Sequence, residues 1–399
     1  MISLDLLHQL IPMTLLDDLA IQYDVNTVNQ VKLPGQAVFV CLLNGLLNHP
    51  ELTLRLLEEE YEKQTGQHCD HSSFGKRISK MNPEFFSAIH SNLYSKITAE
   101  SPQNDLRALK IRFVDATTVT LSSKLLKFGL FQKDSNGDRR HIKSIVELSD
   151  DGLPNLLHVC KKPSEHNDVV AIGDQVLAAA VKNDLWIFDA GFDDRVRLFK
   201  LHQKGSYWLT PQSEQKVIVD RIIKVVGPDI LPSEAPGKND KKCIVHRVEL
   251  GHFLNNMKRL APNLDTMPVV LVHCHLYDGR KKQWKRFALM TNLPLSASGD
   301  KLGYFTFDEV VDLYGKRWDI EIFFRFLKGN LKLEHLTSRS ENGVKIMLIM
   351  SIIAALLLVW YKAQTKIDRG WRSVMFWFAD DVRSWTAQVI AHMIIIRSG

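Results

Sequence analysis

Apolar positions along this chain change period twice, and the changes divide it. Through roughly the first hundred residues they recur at helical spacing, over Leu4–Leu19, Ala37–Leu47 and Leu52–Tyr61, with Pro12, Pro34 and Pro50 as punctuation. That period predicts amphipathic helices and no strands. A turn-like run, CDHSSFGKRISKMNPEFF, then leads into a short helix carrying Lys76, Arg77 and Lys80. This fits a helix-turn-helix whose second helix enters a DNA groove. It equally fits a small helical bundle with a basic face.

From Ala108 the pattern alternates, as strands do. Leu109–Asp115 ends on an aspartate, with Ala116-Thr117-Thr118 expected as a turn and a polar, basic loop expected up to Arg140. Strands are predicted over His141–Leu148 and Leu153–Val159, joined by a turn at Asp150-Asp151-Gly152. A helix over Asn167–Val181 leads to Leu185–Asp189, a second short apolar strand ending on an aspartate, followed by Ala190-Gly191-Phe192. Asp193–His202 reads as helix and Ser206–Leu209 as strand. Four more strand-like runs, Lys216–Val226, Cys243–Phe253, Val269–Tyr277 and Arg286–Leu293, are split by loops rich in Gly, Pro, Asn and Asp.

Helical period returns at Thr306–Gly329. Thr306 and Glu309 have capping-box spacing, and Gly329 sits where helices commonly end. Within this stretch Tyr314, Arg317, Glu321 and Lys328 fall at roughly 0°, −60°, −20° and −40° around one helix axis. Asp312, Lys316 and Asp319 supply a separate polar face, so the stripe reads as a site rather than as a solvated Arg–Glu pair worth a few tenths of a kcal/mol. The longest apolar run, Ile346–Tyr361, falls short of the ~20 residues of a membrane span and reads as a buried core helix. The tail from Trp371 to Gly399 is apolar enough for core or for a subunit interface.

Composition narrows the picture without naming a function. A chain of 399 residues predicts two or three domains. Its 45% apolar and 24% charged residues are those of a globular protein, and a net charge of +6 permits a polyanionic partner without requiring one. The five cysteines are scattered, with no C-x-x-C pair, which suits a reduced cytosolic setting. His68-Cys69-Asp70-His71 and His273-Cys274-His275 lack the spacing of structural zinc sites. No signal peptide is expected, because Asp5, Asp17 and Asp18 interrupt the early apolar stretch.

The spacing Y-(2)-R-(3)-E-(6)-K resembles the signature of the insertion-sequence-four family of bacterial DDE transposases. Asp115-Ala116-Thr117-Thr118 loosely resembles that family's first motif, and Asp189-Ala190-Gly191-Phe192 matches its second, D-x-G-[FY]. The resemblance implies an α/β fold: an RNase H-like catalytic core over 106–210 and 304–365, interrupted by a β-rich insertion over 211–303. An all-α DNA-binding region (1–105) would precede it, and a helical tail (366–399), a candidate for dimerisation, would follow. It implies that Asp115, Asp189 and Glu321 hold two Mg²⁺ ions, with Mn²⁺ as substitute, since paired hard cations suit attack on a phosphodiester. The implied substrate is double-stranded DNA, as transposon-end inverted repeats and target. It would be cut and pasted by a dimer through a hairpin intermediate, in the bacterial cytoplasm at the nucleoid and with no membrane partner.

Around those acids, Arg317, Arg325 and Lys328 are expected to neutralise phosphates, and Tyr314 to hydrogen-bond one. Trp318 and Phe287 are candidates to stack on a flipped base, with core packing as the alternative. The hairpin with Lys281, Lys282 and Trp284 suits phosphate contact and stacking, or is a solvated tip, and the loop with Lys238, Lys241 and Lys242 is basic too. Lys76 and Arg77 are expected on DNA in the N-terminal region. A carboxylate-pair hydrolase such as a glycosidase also needs two acids but gives no reason for the Tyr-Arg-Lys stripe. A catalytically silent RNase H-like DNA-binding protein would keep the fold.

Overall fold

The protein is described here by a computed structural model that defines residues 4–26, 33–49, 51–100, 109–120, 129–134, 137–190, 192, 194–212, 221–226, 235–236, 243–254, 262–295, 305–331, 338 and 340–398. Six helices come first: α1 (Leu4–Leu10), α2 (Met13–Gln22), α3 (Gly35–Asn48), α4 (Leu54–Thr65), α5 (His71–Lys80) and α6 (Pro83–Glu100). The strand-rich middle holds β1 (Lys110–Thr120), β2 (Leu130–Asp134), β3 (Gly137–Ser149), β4 (Pro154–Val159), α7 (Asp168–Ala179), β5 (Asp184–Ile187), α8 (Arg195–Gln203) and β6 (Tyr207–Gln212). Then follow β7 (Arg221–Val226), β8 (Cys243–Leu254), β9 (Thr266–Asp278) and β10 (Gln283–Thr291). The chain closes with α9 (Phe307–Lys316), α10 (Trp318–Gly329), α11 (Glu341–Thr365) and α12 (Trp371–Ser398).

All ten strands join one sheet, in the order β2-β3-β1-β5-β6-β10-β9-β8-β7, with β4 also on β3. β3 runs antiparallel to both β1 and β4, while β1, β5 and β6 are mutually parallel through β5. The order β4-β3-β1-β5-β6 with these directions is that of an RNase H-like core. One expectation needs correction. The first strand does not stop at Asp115, because the β-branched Thr117, Thr118, Val119 and Thr120 extend the ladder on β3 as far as His141. In the β-rich stretch after residue 211, β10 pairs with β6 from Ala288 to Thr291 and continues the same sheet. β2 falls within the stretch expected as a loop, and Lys238, Lys241 and Lys242 lie outside the described residues.

Strand alternation divides the core. Val114, Trp186 and Trp208 point to one face, covered by α7 and α8 residues such as Val176 and Leu198. Ile111, Phe113, Leu185 and Ile187 point to the other, where they share one core with α10, α11 and the N-terminal helices. Asp115 has the parity of Ile111 and Phe113 and so belongs to the α10 face. α11 is apolar enough to cross a membrane, but 89% of its most apolar window is buried within the protein. It packs against α3, α5, α6, β4 and α12. The tail helix is core as well: Trp385 is fully buried, and His8 Nε2 lies 2.6 Å from Gln388 Oε1. Among the described residues, terminal helices and sheet therefore share one hydrophobic core.

A buried ionic cluster ties helix to sheet. Arg112 on β1 pairs with Glu147 on β3 and lies 3.1 Å from Asp184 at the start of β5, and both carboxylates are fully buried. Tyr94 of α6 and Asn155 of β4 donate to Glu147, each at 3.3 Å, and the Val181 amide donates to Asp184. Removing the only cation of such a cluster strands its acids and costs ~3–5 kcal/mol. Arg112→Met is thus expected to lower the unfolding free energy by that amount, which equilibrium urea unfolding followed by circular dichroism reads from the midpoint and its slope.

Candidate active site

The three acids expected to act together arrive on three elements. Asp115 lies within β1, opposite Val146 of β3. Asp189 stands two residues beyond the end of β5, where the last ladder-like bond is from the Phe188 amide to the Leu209 carbonyl. Glu321 is in the first turn of α10. Because β1 and β5 are parallel, both aspartates sit toward the same carboxyl-terminal edge of the sheet, the edge at which α/β sheets commonly build their sites. Each aspartate turns one oxygen back to the following amide, Ala116 at 2.7 Å and Ala190 at 2.6 Å.

Arg317 links them. Its guanidinium Nη2 is 2.7 Å from Glu321 Oε1 and 3.5 Å from Asp189 Oδ1, and the side chain is only 8% exposed. Two of its nitrogens, Nε and Nη1, have no hydrogen-bond partner among the described residues. Its carbon Cζ lies 5.6 Å from the Tyr314 ring. Burial opposes the Arg317 charge, and Tyr314, Glu321 and Asp189 more than compensate, so it stays charged above its ordinary range. The same burial raises the Tyr314 phenol.

The predicted continuous helix is in fact two. α9 ends at Lys316 and α10 begins at Trp318, with three-residue bonds from the Arg317 amide to the Tyr314 carbonyl and from the Ile320 amide to the Arg317 carbonyl. These tighten the backbone as a 3₁₀ turn does and swing Arg317 inward. The capping box at Thr306 and Glu309 is present as expected. Tyr314, Arg317 and Glu321 gather at the acids, whereas Lys328 and Arg325 line a cleft of about 570 Å³ with Ala116, Thr117, Thr118, Phe324 and Gly329. Ala116, in the wall of this cleft, is the residue that follows Asp115 on β1.

Other expected contacts scatter. Arg77 is a correction: it is buried in α5 and donates to the Leu33 and Val25 carbonyls, so it braces the helical layer instead of facing DNA. Lys76, its neighbour, is exposed. Trp318 is 54% exposed. Phe287 faces Cys274 across β9 and is half-buried against the main core. Trp284 packs edge-on against Tyr277 at 5.3 Å, and Lys281 and Lys282 stand exposed at the β9–β10 turn. That hairpin extends past Gln212, the carboxyl end of β6, and thus rises from the same sheet edge as the aspartates. Gly191 lies outside the described residues. Sequence reasoning missed two features, the clamp role of Arg317 and the cleft wall at Thr117 and Thr118. The four-residue Arg–Glu spacing was the available signal for the first.

Three carboxylates form a hard oxygen donor set of the kind Mg²⁺ and Mn²⁺ accept. Burial, with the Asp189 charge adding to it, pushes the Asp115 carboxyl up to about 6, the strain a bound cation would relieve. The residues fit such ions. Their oxygens do not all lie within 4.8 Å of one another, and Arg317 spans the gap between Asp189 and Glu321.

An acid whose pKa is raised on folding loses stability as pH climbs from its unfolded value, near 3.8, through about 6. Asp115→Asn is therefore expected to raise the metal-free melting temperature at pH 8, by roughly 1 °C per kcal/mol relieved in a chain of this size. It should have no such effect at pH 4, and differential scanning fluorimetry at the two pH values checks both.

Residues 107–357 match the family described as "Transposase DDE domain". A protein named as a transposase for insertion sequence element IS4SA, from Synechocystis sp., is 23% identical over 327 residues, 80% of either chain. The transposase for insertion sequence element IS231B of Bacillus thuringiensis subsp. berliner is 23% identical over 301 residues, 68% of this chain and 61% of that one. A piggyBac transposase synaptic complex with hairpin DNA overlaps 92% of this chain and 73% of its own, at a TM-score of 0.48 and 10% identity. That last likeness is too slight to bear on function.

Proposed function

The chain belongs to the family of DDE-domain transposases, and from its geometry we propose that Asp115, Asp189 and Glu321 are the acids with which it cuts and rejoins the DNA ends of a bacterial insertion sequence. The observation that carries this reading is the convergence on Arg317 of acids from a strand end and a helix, beside a third acid on the central strand. The three carboxylates would hold two divalent ions, Mg²⁺ or Mn²⁺, which when bound supply an activated oxygen nucleophile and a stabilised leaving oxygen.

The chain's own side chains account for the rest. Arg317 neutralises the excess charge of Asp189 and Glu321, and its two unpartnered nitrogens leave single donors for a scissile phosphate. Lys328 and Arg325 line the cleft with Thr117 and Thr118 and supply two cations for a strand's backbone. Tyr314 can donate to a phosphate oxygen. The Lys281–Trp284 hairpin, rising from the same edge, adds phosphate contacts and a stacking face away from the cut. We assign the DNA partner as the element's terminal inverted repeats and its target, handled by a cut-and-paste route. A hairpin intermediate would use Trp318, which is exposed next to Arg317, more readily than the half-buried Phe287. Two ends cut in concert call for a homodimer on DNA.

The test is cleavage of a labelled duplex carrying the element's end, with Mg²⁺ or Mn²⁺. Glu321→Gln is expected to bind this duplex and leave it intact; equal cutting by both proteins would remove Glu321 from the reaction. Lys328→Ala is expected to slow strand transfer by about tenfold to a hundredfold, the worth of a ~1.5–3 kcal/mol bond to a charged group, with an unchanged melting temperature. A large drop in that temperature instead would make Lys328 a structural residue.

A further inference from the structure

The run His68-Cys69-Asp70-His71, set aside above because its spacing matches no structural zinc pattern, folds back onto α4. His71 Nδ1 lies 3.2 Å from Glu58 Oε2 and 3.6 Å from Asp70 Oδ2. His68 Nδ1 lies 3.7 Å from the other Glu58 oxygen and 3.3 Å from Glu62 Oε2. The donor atoms of Glu58, Asp70 and His71 all fall within 4.8 Å of one another. We propose that this corner between α4 and α5 binds one divalent transition-metal ion, zinc by its ligand chemistry, through His71, Glu58 and Asp70.

The distances suit a shared cation. A tetrahedral ion with bonds of ~2.0–2.2 Å sets its ligands ~3.3–3.6 Å apart. A charge-assisted N–H···O contact closes to ~2.7–2.9 Å, shorter than any imidazole–carboxylate separation at this corner. Charge points the same way, since three carboxylates face two imidazoles. The ligands are also pre-positioned. The His71 amide donates to Glu58 Oε2 at 3.0 Å, and the Ser72 amide takes Asp70 Oδ1 at 2.7 Å, which leaves Oδ2 toward His71. Gly66, in the left-handed region at φ 66°, ends α4 and turns the chain back, and Cys69 is buried beneath the loop.

Imidazole with carboxylate suits zinc among common cellular cations. The spacing rule failed because Glu58 comes from the preceding helix. A second cluster, His158, Cys160 and Glu165, is weaker, since Glu165 already takes the Lys161 and Lys162 amides and the Lys143 ammonium sits 3.0 Å from its carbonyl. The proposed ion is structural: it fixes the corner from which α5 presents Lys76 and Lys80.

Mg²⁺ would fill the all-oxygen catalytic site and leave a histidine-bearing one open, which separates the two. The full-length protein, stripped with chelator and held in millimolar Mg²⁺, is titrated with Co²⁺ and read by visible absorption. The expected result is one Mg²⁺-resistant equivalent per chain with intense tetrahedral bands, displaced by Zn²⁺. His71→Ala and Asp70→Asn should each weaken it by at least ~10-fold, and Glu321→Gln should not change it. Should His71→Ala fail to fold, Asp70→Asn gives the same readout, because asparagine keeps the cap bond to the Ser72 amide. No Mg²⁺-resistant equivalent, or one that survives these substitutions, overturns the site.

Discussion

A guanidinium shared between carboxylates from two separate elements is the constraint on which the centre of this protein depends. Asp189 and Glu321 would repel each other, and Asp115 is already pushed toward neutrality by its burial and by Asp189. Arg317, almost wholly buried between them, offsets that charge and fixes where α10 can lie against the sheet edge. The backbone tightens at residue 317, where two three-residue bonds mark the junction of α9 and α10.

The rest of the fold holds this edge still. β1 is the central strand, flanked by β3 and β5, and the Arg112 cluster locks its other end to α6, β3 and β5. α11 passes through the middle of the molecule as a buried apolar rod, with N-terminal helices on one side and α12 on another. The helical layer that would meet DNA and the sheet that would cut it are thus built around one core and cannot move independently without exposing apolar surface. The β10–β9 hairpin, by extending the catalytic sheet, takes its orientation from the same strands that carry the acids.

Much of this was legible from residue pattern. The change from helical period to alternation near residue 108, the strands before Asp115 and Asp189, and the caps of the Thr306 helix are local signals written in a few adjacent residues. What could not be read was set at long range. Thr117–Thr120 continue as strand because β3 is there to pair with them, and Arg77 turns inward because the Leu33 and Val25 carbonyls await it. Arg317 was expected to meet a phosphate, yet its short contact is with an acid four residues away and its longer one with an acid on β5. Glu58 joins His71 from another helix, a proximity that spacing along a chain does not encode.

The most direct measurement of the central claim is metal-directed cleavage of the protein itself. Fe²⁺ substituted for Mg²⁺, with ascorbate and peroxide, generates hydroxyl radicals that cut the backbone beside a bound ion, and Zn²⁺ can first occupy the histidine-bearing corner. The account predicts three cut clusters, around Asp115, Asp189 and Glu321, all suppressed by excess Mg²⁺ and by Glu321→Gln. Cuts at the two aspartates with none on α10 would contradict it, because they would leave Glu321 and its Arg317 clamp outside the metal centre.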